Sequence, residues 1–208
     1  MFITFEGPEG AGKSLQVRLL AHRLRAAGQI VLETREPGGT ALGDQLRHLL
    51  LVRNDLKTIP RSEALMMCAA RAQLVQTVIK PALERGEVVL CDRFGDSTLA
   101  YQGYGRGLDL DQLRAVLSFA TAGLEPDMTI LLDLPVAAGL ARKEAQAAWT
   151  RFEAETLAFH ERIRAGYLAL AAAQPARWVC LDAHRPPDQL ADEVWQRVSH
   201  RLSPGTGR

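Results

Sequence analysis

Five short runs of the chain are almost uninterruptedly apolar, and the stretches between them space apolar residues three and four apart. The first pattern predicts buried strands and the second amphipathic helices. Strands are expected at Phe2–Glu6, Ile30–Thr34, Glu87–Cys91, Met128–Leu134 and Arg177–Asp182. Helices are expected over Lys13–Ala27, closed by Gly28, and over Ala41–Leu51. Leu65, Cys68, Ala72, Val75, Ile79 and Leu83 form one helical stripe, which predicts a long helix over Arg61–Arg85, kinked near Pro81. Helical spacing resumes over Asp96–Gln102, breaks at Gly103–Gly107 and returns over Asp109–Ala122. Ala148–Ala173 and Pro186–Leu202 complete the series. Strands that alternate with helices in this way predict an α/β fold, a five-stranded parallel sheet covered by helices on both faces. Sites in such sheets lie beyond the carboxyl ends of the strands, where Glu6-Gly7, Arg35-Glu36 and Asp92-Arg93 fall.

Composition narrows the class. A length of 208 residues suits one domain, 1–208, with a loose tail at 203–208. Hydrophobic residues at 47% and charged residues at 24% are ordinary for a globular protein and disfavour disorder, a coiled coil or a membrane protein. The longest apolar stretch, Met128–Ala141, is cut by Asp133 and falls short of the ~20 residues that span a bilayer. Lys and Arg number 25 against 24 Asp and Glu, so neither nucleic acid nor an anionic membrane is the expected partner. Of those cations 21 are Arg and four are Lys, a ratio that suits phosphate binding but also follows from coding bias. Cys68, Cys91 and Cys180 are widely spaced and form no CxxC pair; with no signal-like apolar run after Met1, a cytoplasmic protein is expected.

One motif changes the picture. Gly7-Pro8-Glu9-Gly10-Ala11-Gly12-Lys13-Ser14 matches GxxxxGK[ST] between a predicted strand and a predicted helix. In such a P-loop, glycines let backbone N–H groups converge on phosphate oxygens, and the helix adds its positive dipole end. Lys13 then neutralises the β- and γ-phosphates of ATP and the Ser14 hydroxyl ligates Mg²⁺. The loop leaves the reaction open among hydrolysis, switching and phosphoryl transfer. No NKxD tetrapeptide for reading guanine occurs, and the length favours a small-molecule phosphotransferase.

Three further clusters bear on the acceptor: Thr34-Arg35-Glu36-Pro37-Gly38-Gly39-Thr40, Met67-Cys68-Ala69-Ala70-Arg71, and Asp92-Arg93-Phe94 with Ser97 to Gly103. Together with the loop they resemble the thymidylate kinase family over about Met1–Asp182, in the same order and spacing. The resemblance implies transfer of the ATP γ-phosphoryl group to dTMP, with Mg²⁺, by a homodimer to which the Arg61–Arg85 helix contributes. It implies that Arg35 and Arg93 hold the acceptor phosphate through forked hydrogen bonds. Arg71 then donates to a thymine carbonyl, and Met67, one helical turn before it, covers the ring unless it is plain core. Thr98 matches a position at the base edge. Tyr101 matches one that excludes a ribose 2′-OH, and Glu9 one that meets the 3′-OH. Gln102 either reaches the base or caps the glycine loop; Asp92 either holds a Mg²⁺-bound water or forms a structural ion pair with Arg93.

Relatives carry a catalytic arginine in the P-loop or several in a lid before a long helix. This P-loop has none, and the expected lid, about 141–153, has Arg142, Lys143 and Arg151 as its cations. Arg142 or Arg151 is therefore expected to close over the phosphates, beside Lys13 and Arg93. Three other readings compete: another nucleoside-monophosphate kinase on the same scaffold, an ATPase switch, and an inactive nucleotide-binding module. The switch leaves TREPGG and Asp92-Arg93-Phe94 unexplained.

Overall fold

A computed structural model describes residues 1–53, 55–145, 152 and 154–202. Its strands are β1 (Phe2–Glu6), β2 (Val31–Arg35), β3 (Val88–Asp92), β4 (Met128–Asp133) and β5 (Trp178–Asp182). They form one sheet in the order β2-β3-β1-β4-β5, with every neighbouring pair parallel. The predicted fold class is thus what the chain adopts, and each strand lies within a residue or two of its expected place.

Alternation along β1 assigns its residues to two layers. Ile3 and Phe5 face α1 (Lys13–Ala26) and α9 (Pro187–Leu202), packing with Leu20, Leu24, Leu190 and Val194. Phe2, Thr4 and Glu6 face the other side. There Phe2 joins Leu74, Ile79 and Phe94, and the Thr4 and Thr129 hydroxyls pair at 2.9 Å. That side is covered by α3 (Pro60–Leu74), α6 (Leu110–Thr121) and α8 (Leu157–Ala173), whose core includes Leu113, Leu117, Ile163 and Tyr167. The strand ends of β1 and β3, side by side at the centre, are therefore held from both faces.

Three predicted helices differ in detail. The Arg61–Arg85 segment is α3, a π-helical turn at Val75–Ile79, and α4 (Lys80–Glu84). Its irregularity precedes Pro81, because the proline ring has no N–H to give and crowds the carbonyl four residues earlier. The expected break at Gly103–Gly107 is instead absorbed: α5 (Gly95–Thr98) runs straight into a second π-helical turn, Leu99–Gly105. Of the helix expected over Ala148–Ala173, residues 148–151 and 153 lie outside the described residues, and α8 begins at Leu157, where extended Thr156 caps it by accepting the Phe159 N–H at 3.3 Å. Val136–Ala145, for which no helix was expected, forms α7, and α2 (Ala41–Leu51) matches its prediction, capped by Thr40.

Candidate active site

The P-loop passes directly from β1 into α1. Gly10 has φ +70°, and a Cβ there would lie 2.1 Å from the Gly139 carbonyl oxygen of α7, so the loop and α7 meet backbone to backbone. Lys13 curls across the loop and donates to the Gly7 and Pro8 carbonyls at 3.0 and 2.8 Å. Burial, together with the nearby Arg93 guanidinium, lowers its ammonium pKa to about 8. The Ser14 hydroxyl donates to the Asp92 carboxylate at the end of β3. No acidic residue of α1 itself occupies its first turn, so the carboxylate that meets this positive end is that of Asp92.

Beside the loop opens a cleft of about 510 Å³. It brings together Glu9, Gly10, Gly12, Lys13 and Ser14 with Arg35, Met67, Arg71, Asp92, Arg93, Thr98, Tyr101 and Gln102, thirteen of the sequence-derived site residues. Gly7, Pro8 and Ala11 belong to the loop without lining the cleft. Arg142 does not line it either: its guanidinium donates to the Ala183 and Gly10 carbonyls at 3.1 and 3.4 Å, bracing α7 on the P-loop. The neighbouring Lys143 does line it. Arg151 and the 203–208 tail lie outside the described residues.

Arg93 is the hub. Its backbone has φ +69°, a left-handed conformation that costs a non-glycine residue ~1–3 kcal/mol and is held here by its surroundings. Nη2 donates to Glu9 Oε1 and the Tyr101 hydroxyl, both at 2.9 Å. Nη1 donates to the Tyr167 hydroxyl at 3.0 Å, the Gly7 carbonyl at 3.2 Å and Ser97 Oγ at 3.3 Å. Nε takes part in none of these bonds. Tyr101 also donates to Glu9 and lies under the Arg93 guanidinium, 4.9 Å from carbon to ring centroid. Burial alone raises the Glu9 pKa, but Arg93 and Lys13 outweigh it and hold the carboxylate near 2. Glu9 is therefore an ionised acceptor at neutral pH.

The other end of the cleft is built on Arg71, which is buried and paired with Glu36 of the Thr34–Thr40 segment. Nε and Nη2 reach Glu36 Oε2 at 2.7 and 2.5 Å, Nη1 donates to Thr98 Oγ1 at 3.1 Å, and Nη2 donates to the Phe94 carbonyl at 3.0 Å. Burial lowers the Arg71 pKa, yet Glu36 more than restores it, so the guanidinium stays charged. One Nη1–H has only the Cys68 sulfur at 4.0 Å, a weak acceptor. Gln102 donates to Glu63 at 2.8 Å, and Met67 is half-buried on the cleft wall.

Several cleft residues escaped sequence reasoning. Arg47 of α2 donates to the Pro37 carbonyl at 2.9 Å, and burial followed by Arg35 lowers its pKa, so a concentrated positive patch surrounds the end of β3. Arg18 and Phe152 also line the cleft, with Phe152 edge-on to Tyr101 at 5.5 Å. An arginine within a leucine-rich helix carries no motif; only the excess of Arg over Lys pointed its way.

The chain has close relatives in sequence and in fold. The sequence profile of thymidylate kinase matches residues 5–194. A thymidylate kinase of Thermomicrobium roseum is 57% identical over 205 residues, covering 98% of this chain and 97% of that protein. One from Deinococcus radiodurans is 53% identical, covering 97% of each. A crystal structure of thymidylate kinase from Ehrlichia chaffeensis superimposes with a TM-score of 0.78 at 32% identity, over 95% of this chain and 98% of that one. With the P-loop, the strand-end arginines and the Arg71 pocket in one cleft, and relatives matched over nearly their whole length, the chain belongs to the thymidylate kinase family.

Proposed function

We propose that this chain carries the γ-phosphoryl group of ATP to dTMP by in-line transfer across the cleft, with a defined role for each wall. One observation carries the reading: Lys13 and the strand-end arginines line a single 510 Å³ space, where Lys13 and Arg93 meet at the Gly7 carbonyl, to which they donate at 3.0 and 3.2 Å. ATP phosphates lie on the P-loop and Lys13, while Arg93, Arg35 and Arg47 hold the dTMP phosphate. A dTMP phosphate oxygen forms a bond to Pγ as the bond from Pγ to the bridging oxygen of ADP breaks. The acceptor is already an anion, so positioning and charge neutralisation suffice.

Glu9, held ionised, accepts the deoxyribose 3′-OH, and the Tyr101 ring occupies the space a ribose 2′-OH needs. Arg71 turns its weakly used Nη1–H to a thymine carbonyl, Thr98 and Gln102 flank the base edge, and Met67 covers its face. Ser14 and Asp92 suit Mg²⁺, a hard ion that takes few protein oxygens and completes its shell with phosphates and water. Among the described residues no group of three or more His, Cys, Asp and Glu could form a full cage. When bound, Mg²⁺ supplies positive charge between the phosphates. Arg151 and Lys143 of the lid supply the remaining cations, and Arg142 acts through the P-loop backbone it braces.

The whole chain is read as one catalytic domain, acting in the cytoplasm as a homodimer. Supporting the dimer, Leu42, Leu65 and Phe119 are exposed on α2, α3 and α6, which pack side by side. Among the described residues no helix is long and apolar enough to cross a membrane. The test is ADP release from Mg·ATP with dTMP, dUMP, TMP, dCMP, dGMP or AMP, and without acceptor. Strong dependence on dTMP is expected, with dUMP weaker because the thymine methyl is worth only ~1–3 kcal/mol. Equal release without acceptor overturns the reading in favour of a hydrolysing switch.

A further inference from the structure

Behind Arg93, and outside the cleft lining, lies a buried carboxylate that the reaction does not use directly. Glu6 ends β1, is fully buried, and faces the α8 side of the sheet. Its Oε1 accepts the Phe94 N–H at 2.8 Å, the amide immediately after the strained Arg93. Its Oε2 accepts the Ser97 hydroxyl at 2.5 Å and the Tyr167 hydroxyl at 2.9 Å. Those two hydroxyls, 2.8 Å apart, are the same ones that receive Arg93 Nη1.

Each hydroxyl has one proton to give. When both are given to the Glu6 carboxylate, both oxygens turn lone pairs toward Arg93, whose guanidinium can only donate. We propose that Glu6 is a positioning residue for the acceptor phosphate: through Ser97, Tyr167 and the Phe94 amide it fixes the direction of the Arg93 guanidinium. The proposal rests on the reading of Arg93 as a phosphate clamp. An amide in place of the carboxylate turns an NH₂ on the hydroxyls, swings their protons toward Arg93, and sets donor against donor.

The electrostatic surroundings make this relay responsive to pH. Burial, reinforced by the Asp96 carboxylate, raises the Glu6 pKa to about 7 against the opposing pull of Arg93. The other groups that feel this carboxyl are Arg71 from α3, Arg177 before β5, Lys13 from α1, Tyr167 from α8 and the Cys91 thiol of β3. Protonation of Glu6 undoes the arrangement of hydroxyl protons and loosens Arg93.

The test compares equilibrium binding of dTMP and of thymidine, which lacks the phosphate, to wild type, Glu6→Gln, Ser97→Ala, Tyr167→Phe and Arg93→Lys. Glu6→Gln is expected to weaken dTMP about 10- to 100-fold, by analogy with the loss when the partner that orients a metal-ligating side chain is removed, and to leave thymidine within twofold. Tyr167→Phe and Ser97→Ala are expected to shift binding the same way by smaller factors. Their melting curves and affinities decide the matter should Glu6→Gln fail to fold. Between pH 8 and 6 the wild-type preference for dTMP over thymidine is expected to fall more steeply than the phosphate's own titration near pH ~6 explains, and the variant should follow the phosphate alone. Unchanged or tighter dTMP binding in Glu6→Gln and in both hydroxyl variants, with the preference lost in Arg93→Lys, overturns the role of Glu6 alone. Should Arg93→Lys keep the full preference, the reading of Arg93 falls and this proposal with it.

Discussion

Replacing Gly139 by alanine pits two effects of known size against each other. The residue sits inside α7, where alanine normally gains ~0.5–1 kcal/mol over glycine. Here the added Cβ lands 2.1 Å from the Glu9 carbonyl oxygen, 3.2 Å from the Glu9 carbonyl carbon and 3.4 Å from Leu134 Cδ2. An ordinary carbon–oxygen contact is about 3.3 Å, so α7 or the P-loop must give way by more than about 1 Å. Both sides are backbone, and no rotamer change relieves the clash. Overpacking of this kind costs ~1–3 kcal/mol, leaving a net loss of about 1–2 kcal/mol and a Tm lower by about 2–8 °C. The larger effect falls on turnover, because Glu9 lies between Lys13 and Arg93. A shift of that size is worth ~10²-fold in kcat/KM. Differential scanning fluorimetry and steady-state ADP release measure both. A raised Tm together with kcat/KM within threefold of wild type would falsify the close contact between loop and helix.

Other perturbations separate the remaining parts. Arg71→Ala leaves Glu36 buried without its partner and is expected to destabilise by ~3–5 kcal/mol in chemical denaturation. Arg71→Lys should keep the fold but lose the fork, cutting kcat/KM for dTMP ~10-fold or more while the KM for ATP stays unchanged. Lys13 has its folded pKa lowered to about 8, so it is charged below that pH, and the KM for ATP is expected to climb as pH rises through 8. Glu9 has its pKa depressed from 4.5 to about 2, so its contribution to stability is present above pH 4.5 and lost as pH falls toward 2. Urea titrations of Glu9→Gln should lack that acid loss, which amounts to at most about 3 kcal/mol. Arg151→Ala should lower kcat by ~10³-fold or more if it is the closing arginine, whereas Arg142→Ala should act mainly through Tm.

What the sequence revealed of this site follows from how local each feature is. The P-loop is legible because eight consecutive residues make one turn of backbone, and the strand-end positions of Arg35 and Arg93 because an apolar run stops there. The Arg71–Glu36 pair spans 35 residues, and although both members sit in recognisable motifs, their contact is set by how α3 lies across the sheet. Arg47 and Tyr167 read as ordinary surface and core positions; only tertiary packing turns them to the cleft and the Arg93 hub. Glu6 was noted for its place at a strand end, but its burial depends on α8, which arrives from the far end of the chain. The start of α8 at Leu157 is signalled only by the Thr156 cap, a single residue that the helical spacing of the apolar positions around it obscures.

The π-helical turn at Leu99–Gly105 has a consequence for how such enzymes can vary. A π turn is an α-helix carrying one extra residue. On one side of it stands Thr98; within it stand Tyr101 and Gln102; after it comes Arg106, which pairs with Glu155 at 2.7 Å. Deleting a single residue here allows an unbroken α-helix of good geometry, so folding need not object. The wider turn absorbs its extra residue, so after such a deletion the side chains before and after it keep their facing, and only those within the turn, Tyr101 and Gln102 among them, are re-aimed. Substitutions along this segment change one contact at a time, but a one-residue change in length re-aims together the residues of the turn that line the cleft, while Thr98 before it and Arg106 after it stay in place. Chain length between Asp92 and Asp109 is thus a selectable trait in its own right, separate from the identity of any residue within it.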